Sequence, residues 1–196
     1  MQNGLLKHMR DYAEEYNVPI ITDDGINYIR NYIYKNKIKR ILEIGTAIGY
    51  SAILMANVSD DITVTTIERD EKRYIEAIKN VKKAGMEKRI NLIFKDALDV
   101  NLNDQFDMIF IDAAKAQNIK FFEKFTPLLD KYGYVITDNM SFHGLVDKDE
   151  SEIESRNVRQ LVRKVKDYKE FLKKNRKFDT QFLEIGDGLA VSEKNS

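Results

Sequence analysis

Residues 41–52 read ILEIGTAIGYSA, an apolar, strand-like run that breaks at Gly45 and meets a second glycine, Gly49, four residues later. In a sheet built from strand–helix units, the first strand-to-helix turn delivers backbone N–H groups and a helix N-terminus to a ligand. Glycine there permits an approach that a Cβ would block. A phosphate-cradling Walker loop is excluded, because Gly49 is followed by Tyr50 and Ser51 and not by Lys and Ser/Thr. The dinucleotide pattern G-x-G-x-x-G is absent as well. E-x-G-x-x-x-G remains, and Glu43, just ahead of the turn, suits a cationic ligand better than a pyrophosphate. A tight turn in some other α/β protein is the alternative.

Outward from this stretch, β-branched and aromatic runs at 39–44, 62–67, 90–94, 106–111 and 133–137 read as strands. Helical stretches at 50–58, 71–84 and 115–130 lie between them, the last with Ile119, Phe122, Phe125 and Leu129 at spacings of three and four. This alternation predicts an α/β fold, a doubly wound and mostly parallel sheet with right-handed crossovers. Two helices, 5–16 and 23–36, precede it, the second capped by Asp23 or Asp24. An amphipathic helix at 153–173 follows, then TQFLEI and GLAVSE, joined at GDG as an antiparallel hairpin. No repeat, low-complexity segment or linker interrupts the 196 residues, so one domain, 1–196, is expected.

Composition narrows the chemistry. Lys plus Arg and Asp plus Glu are 32 each, so overall charge implies neither a nucleic-acid coat protein nor an acidic solubiliser. The absence of Cys removes disulfides, thiolate zinc sites and cysteine nucleophiles together, and suits a reducing compartment. No stretch approaches 18 apolar residues, and MQNGLLKHMRDYAEE lacks a signal peptide's apolar block. A cytoplasmic protein without a membrane partner is expected.

Acids stand at successive strand ends. Glu68 closes the second strand, where a nucleoside-binding sheet places an acceptor for ribose hydroxyls. Asp96, with Ala97, follows the third strand, where it can address an adenine edge. Each alone also reads as a helix cap or a solvated loop residue. Asp112 ends the fourth strand, and Asp138 and Asn139 end the fifth, presenting three oxygen ligands on neighbouring strands. With no Cys and no clustered His, that set suits Mg²⁺ better than zinc. Turn chemistry alone accounts equally well for Asp138 and Asn139. Lys115, three residues past Asp112, is a candidate base if burial beside a cation lowers its pKa, and otherwise a solvated lysine opening a helix. His143 is read as a surface loop residue outside the catalytic set.

ILEIGTAIGYSA, TIERDEKR, KDAL, FDMIFIDAAK and GYVITDN, in this order, resemble the class I S-adenosylmethionine (SAM)-dependent O-methyltransferases of the cation-dependent catechol and caffeoyl-CoA type. Within that family, YAEEYNVPI, FIDAAKAQ, TDNMSFHGLV and GDGLAVS are most similar to bacterial tRNA 5-hydroxyuridine methyltransferases. The resemblance runs from about residue 17 to the C-terminus. It implies that Ile21, Glu43, Gly45, Ser51, Glu68, Asp96, Ala97 and Asp112 contact SAM, that a lysine acts at the place of Lys115, and that the protein is a homodimer. The N-terminal helix that relatives use over substrate and dimer partner is expected to be shortened here.

Residues 156–177 carry ten basic side chains against two acids, about +8. Val158, Leu161, Val162, Val165, Tyr168 and Leu172 keep helical spacing, so the opposite face is free for phosphates, with Arg159, Arg163 and Lys166 as candidate RNA contacts. The acidic stretch 147–154 offers the alternative that these charges balance on a solvated surface. The combined expectation is a SAM- and Mg²⁺-dependent O-methyltransferase that converts tRNA wobble 5-hydroxyuridine to 5-methoxyuridine. A small-molecule catechol-type O-methyltransferase and a non-catalytic RNA- or nucleoside-binding module are the alternatives.

Overall fold

The computed structural model describes residues 2–195. Helices α1 (Gln2–Glu15) and α2 (Asp23–Lys35) come first. An alternating series follows: β1 (Arg40–Ile44), α3 (Tyr50–Ala56), β2 (Thr63–Glu68), α4 (Glu71–Ala84), β3 (Ile90–Phe94), β4 (Phe106–Ile111), α5 (Asn118–Phe125) and β5 (Leu129–Thr137). The chain closes with α6 (Arg156–Lys174), β6 (Phe178–Leu183) and β7 (Leu189–Lys194). The strands form one sheet in the order β3-β2-β1-β4-β5-β7-β6. Strands β1 to β5 are parallel, and β7 runs antiparallel to both β5 and β6. The strand order reverses between β1 and β4, and a ligand crevice opens at such a switch point.

Strand alternation divides the core. Ile41, Val64, Met108, Phe110 and Ile136 face α2, α3 and α4, whereas Leu42, Ile44, Ile109, Ile111 and Val135 face α5 and α6. On α6 the buried stripe is Val162, Val165, Tyr168 and Leu172, and each buried aliphatic contributes about 1.5–3 kcal/mol. Tyr168 satisfies its hydroxyl on Thr137 at 2.9 Å.

Three local expectations are corrected. Thr22 caps α2, accepting from the Gly25 amide, while Asp23 and Asp24 sit in the first turn against the helix dipole's positive end. The predicted helix 115–130 is three pieces: a 3-10 turn at Lys115–Gln117, α5, and a second 3-10 turn at Thr126–Leu128 that holds Pro127. A proline removes the donor that would continue α5. Strand β5 starts at Leu129 and not at 133, because Leu129 pairs with Phe106 before a register shift restores pairing at Met108 and Tyr134.

Candidate active site

Pairing register sets the row of functional groups. Ile44, Ile67, Ile111 and Thr137 lie abreast across β1, β2, β4 and β5, so Gly45, Glu68, Asp112 and Asp138 emerge together at the sheet's C-terminal edge. Backbone bonds continue the alignment past the strands, from Asp112 N to Ile44 O (2.9 Å) and from Asp138 N to Ile111 O (3.1 Å).

Gly45 has φ +102°, and a Cβ there would lie 2.2 Å from the Asp112 carbonyl oxygen. The residue is therefore required by the close approach of two chain segments as well as by its left-handed backbone. Gly49, at φ +85°, ends the turn ahead of α3, and a Cβ would meet only Ala77 at 3.5 Å, so there the conformation alone selects glycine.

Glu68 organises this turn. Its carboxylate accepts from the amides of Ala47 (2.8 Å), Arg69 (2.9 Å) and Asp70 (2.8 Å). A carboxylate offers about four acceptor sites, which leaves about one for a ligand hydroxyl. Asp96 accepts from Leu98 N and pairs with Arg69 at 3.1 Å, and these bonds hold its carboxyl below the usual carboxylate range.

A cleft of about 290 Å³ joins the two halves of the edge. Ile21, Gly45, Glu68, Asp96, Ala97, Asp112, Lys115, Asp138 and Asn139 all line it. Glu43 and Ser51 do not: Glu43 is fully buried and accepts from the hydroxyls of Ser51 and Thr66. Alternation along β1 explains this, since Glu43 shares the face of Ile41, under α3, where Ser51 lies. Burial pushes the Glu43 carboxyl up to about 8, outweighing the two hydroxyl bonds, which favours its neutral form in the folded protein.

At the other end, Asp112 and Asp138 are both raised above the usual carboxylate range. Burial is the main cause, and Asp138 also feels the charge of Asp112. Lys115 opposes the rise and donates to Asn139 Oδ1 at 2.8 Å. Two crowded carboxylates and an amide oxygen are donors of the kind a hard divalent cation takes. Among the described residues no group of three or more His, Cys, Asp and Glu could hold a metal, so the set rests on two carboxylates.

Sequence reasoning missed Arg73 and Lys95, which line the same cleft. Arg73 is half-buried in the first turn of α4, where the helix dipole disfavours a cation. The signal was present in ERDEKR, as basic residues amid the acids that favour a helix start. The α6 candidates divide. Lys166 is half-buried and Arg163 exposed, whereas Arg159 donates to the carbonyls of Ile153 and Glu154 and so secures the segment before its own helix. The His143 side chain is 77% exposed. Among the described residues no helix is long and apolar enough to cross a membrane.

Comparison with known proteins supplies the family and the fold. The profile of a family described as O-methyltransferase matches residues 3–195. A Staphylococcus aureus structure provisionally assigned as a caffeoyl-CoA O-methyltransferase superposes with TM-score 0.92 at 48% identity, covering 97% of this chain and 92% of that one. An O-methyltransferase from Bacillus cereus in complex with SAH gives TM-score 0.84 at 25% identity over 98% and 91% of the two chains. Caffeoyl-CoA O-methyltransferase from Stellaria longipes is 27% identical over 202 residues, 96% of this chain and 83% of that protein. With a matched profile over almost its whole length and the sheet order of a class I methyltransferase, the chain belongs to the O-methyltransferase family.

Proposed function

We propose that the protein transfers a methyl group from SAM to the 5-hydroxyl of a wobble 5-hydroxyuridine in tRNA, giving 5-methoxyuridine, with Mg²⁺ bound and in the cytoplasm as a homodimer. One observation carries the reaction type. A single cleft runs from nucleoside-type acceptors, Glu68 and Asp96, to Asp112, Lys115, Asp138 and Asn139. A non-catalytic module would need only the first half.

In this reading Glu68 accepts a ribose hydroxyl with its remaining site, and Asp96 and Ala97 meet the adenine edge, beneath Ile21. Glu43 and Ser51 support the turn from behind. SAM supplies an electrophilic methyl sulfonium. Asp112, Asp138 and the Asn139 carbonyl would hold Mg²⁺, which when bound favours the ionised form of the acceptor hydroxyl. The Lys115 side chain, positioned by Asn139 and acting as the free amine, takes that hydroxyl's proton as the oxygen attacks the methyl carbon in line, while the S–CH3 bond breaks with its electron pair going to sulfur and SAH leaves.

The polynucleotide acceptor is supported by charge. The apolar stripe of α6 faces the core, and the helix packs against the turns Lys115–Gln117 and Leu145–Asp147, beside the acceptor end of the cleft. Its basic residues Arg156, Lys164, Lys173 and Lys174 are exposed. Arg73 and Lys95 extend positive charge along the cleft with no side-chain acid partner among the described residues. A second reading, a small catechol or caffeoyl-CoA type acceptor, is favoured by the plant relatives, which include Flavonoid 3',5'-methyltransferase of Vitis vinifera at 28% identity over 194 residues. Incubation with labelled SAM, Mg²⁺ and either tRNA from cells lacking this enzyme or a catechol separates them. Label in tRNA, released as 5-methoxyuridine on digestion, is the expected result, and label in catechol alone would overturn it.

A further inference from the structure

The GDG of the β6–β7 connection reads in the sequence as a turn, but its centre is a buried side chain, Asp187, that bonds to the cleft residue Asn139. Gly186 and Gly188 have φ +58° and +82°, and a Cβ on them would lie 2.2 Å from Thr22 Oγ1 and 2.4 Å from Ser141 Oγ. The loop is thus pressed between the start of α2 and the segment after β5, and it has room for one side chain, Asp187, which is only 8% exposed. That carboxylate accepts from Asn139 Nδ2 at 3.1 Å and from the His143 backbone amide. The main chain adds Ser141 N to Asp187 O at 2.8 Å and Met140 N to Gly188 O at 3.0 Å. These bonds hold a segment in which Asn139, Phe142 and His143 all have left-handed backbones, at φ +61°, +46° and +56°.

A hairpin turn alone does not need a buried acid. The only basic side chain in pairing range of Asp187 among the described residues is the exposed His143 imidazole, 3.6 Å away, so the burial of this side chain is offset chiefly by the bonds from Asn139 Nδ2 and the His143 amide. What it determines is an orientation. A side-chain amide has a donor end and an acceptor end. With Nδ2 of Asn139 committed to Asp187, Oδ1 faces Lys115 Nζ at 2.8 Å. Lys115 also lies over the Phe142 ring, 5.3 Å from its centroid, on the same segment.

We infer that Asp187 is a positioning residue of the acceptor site: it fixes which way the Asn139 amide faces and, through that amide, where Lys115 holds its amine. The inference rests on the proposed methyl transfer for its purpose but not for its test. In Asp187→Asn the new side chain has the same shape, but its Oδ1 is needed by the His143 amide. Its Nδ2 therefore opposes Asn139 Nδ2, the Asn139 amide turns over, and Lys115 loses its acceptor. The exchange Asp187→Asn with Asn139→Asp restores a donor–acceptor pair and returns a carboxylate oxygen to Lys115.

Acylation of lysines by acetic anhydride, followed by peptide mass spectrometry on the intact full chain, reads this without metal or acceptor. Lys115 should react at least about five-fold faster in Asp187→Asn, the equivalent of one lost hydrogen bond. The other lysines should be unchanged, and the double variant should return Lys115 towards the parent rate. Methyl transfer to whichever of tRNA or catechol is accepted should fall in the single variant, with SAM affinity unchanged. An unchanged Lys115 rate in Asp187→Asn, a uniform rise across all lysines, or a double variant no better than the single one overturns the inference. If neither acceptor takes a methyl group, the functional proposal fails while the acylation result still decides the role of Asp187.

Discussion

Replacing Glu43 by Gln isolates the energetics of a carboxyl buried behind the cofactor turn. The folded protein keeps a proton that the unfolded chain releases, since the Glu43 carboxyl rises from its ordinary 4.5 to about 8 through burial. The stability associated with this proton is fully present below about pH 4.5 and is lost as pH rises through about 8. At about 1.4 kcal/mol per pH unit, the whole span corresponds to about 5 kcal/mol, and the part reached by pH 7 to about 3 kcal/mol. Glutamine keeps the shape: its carbonyl accepts from Ser51, and its amide donates to Thr66, whose hydroxyl can turn to Thr46. Urea unfolding of parent and Glu43→Gln, followed by circular dichroism between about pH 5 and pH 9, gives the difference directly, and other titrating groups cancel in it. The variant should gain steadily on the parent as pH rises, by about 3 kcal/mol at pH 7 relative to acid, or roughly 6–12 °C in melting temperature for a domain of this size. Parallel profiles over that range would refute the claim that Glu43 is neutral when folded.

Other consequences are as accessible. Glu68→Ala should weaken SAM binding by about 1.5–3 kcal/mol, because it removes both a ligand acceptor and the carboxylate that holds three turn amides; unchanged calorimetric affinity in the folded variant would exclude Glu68 from the site. EDTA, and Asp138→Ala, should reduce methyl transfer by orders of magnitude while SAM affinity stays near the parent value, since they act on the acceptor end; full turnover in EDTA would end the metal reading. Mn²⁺ affinity, followed by electron paramagnetic resonance, should fall as pH drops below neutrality, earlier than for ordinary carboxylates, because Asp112 and Asp138 take up protons at raised pH. Binding of tRNA should weaken with rising salt, and further on reversing Arg156, Lys164 and Lys174 to Glu; affinity indifferent to both would remove α6 from the RNA surface.

The sheet was legible because its strands are short β-branched runs with helical spacing between them, a pattern only parallel crossovers accommodate. Spacing misled at 115–130, where Phe122, Phe125 and Leu129 keep one face although Pro127 ends the helix and Leu129 already belongs to β5. Most of the cleft could be read from strand ends, since register places Gly45, Glu68, Asp112 and Asp138 in a row. What escaped was direction. E-x-G-x-x-x-G marks a turn but does not say that Glu43 faces away from the cleft, although alternation with Leu42 and Ile44 in β1 carries that information. The α6 charge count likewise could not separate Arg159, spent on carbonyls of the preceding segment, from its exposed neighbours. Asp187 was hidden for another reason, because its partners lie 44 and 48 residues away in the chain and no local pattern links them.

That separation has a temporal side. The half of the cleft that holds Gly45 and Glu68 is built from β1, β2 and β3, contiguous in residues 40–94, and its pairings can form early as the chain leaves the ribosome. The acceptor half cannot, because β5 gains its outer neighbour only when residues 189–194 arrive, and the hairpin that delivers Asp187 is the final piece of sheet to be added. On the proposed reading, a nascent chain stalled before Phe178 carries the residues of the Gly45 turn but not Asp187, so Asn139 and Lys115 lack the bond that orders them, and methyl transfer is expected only once the C-terminal hairpin has joined the sheet.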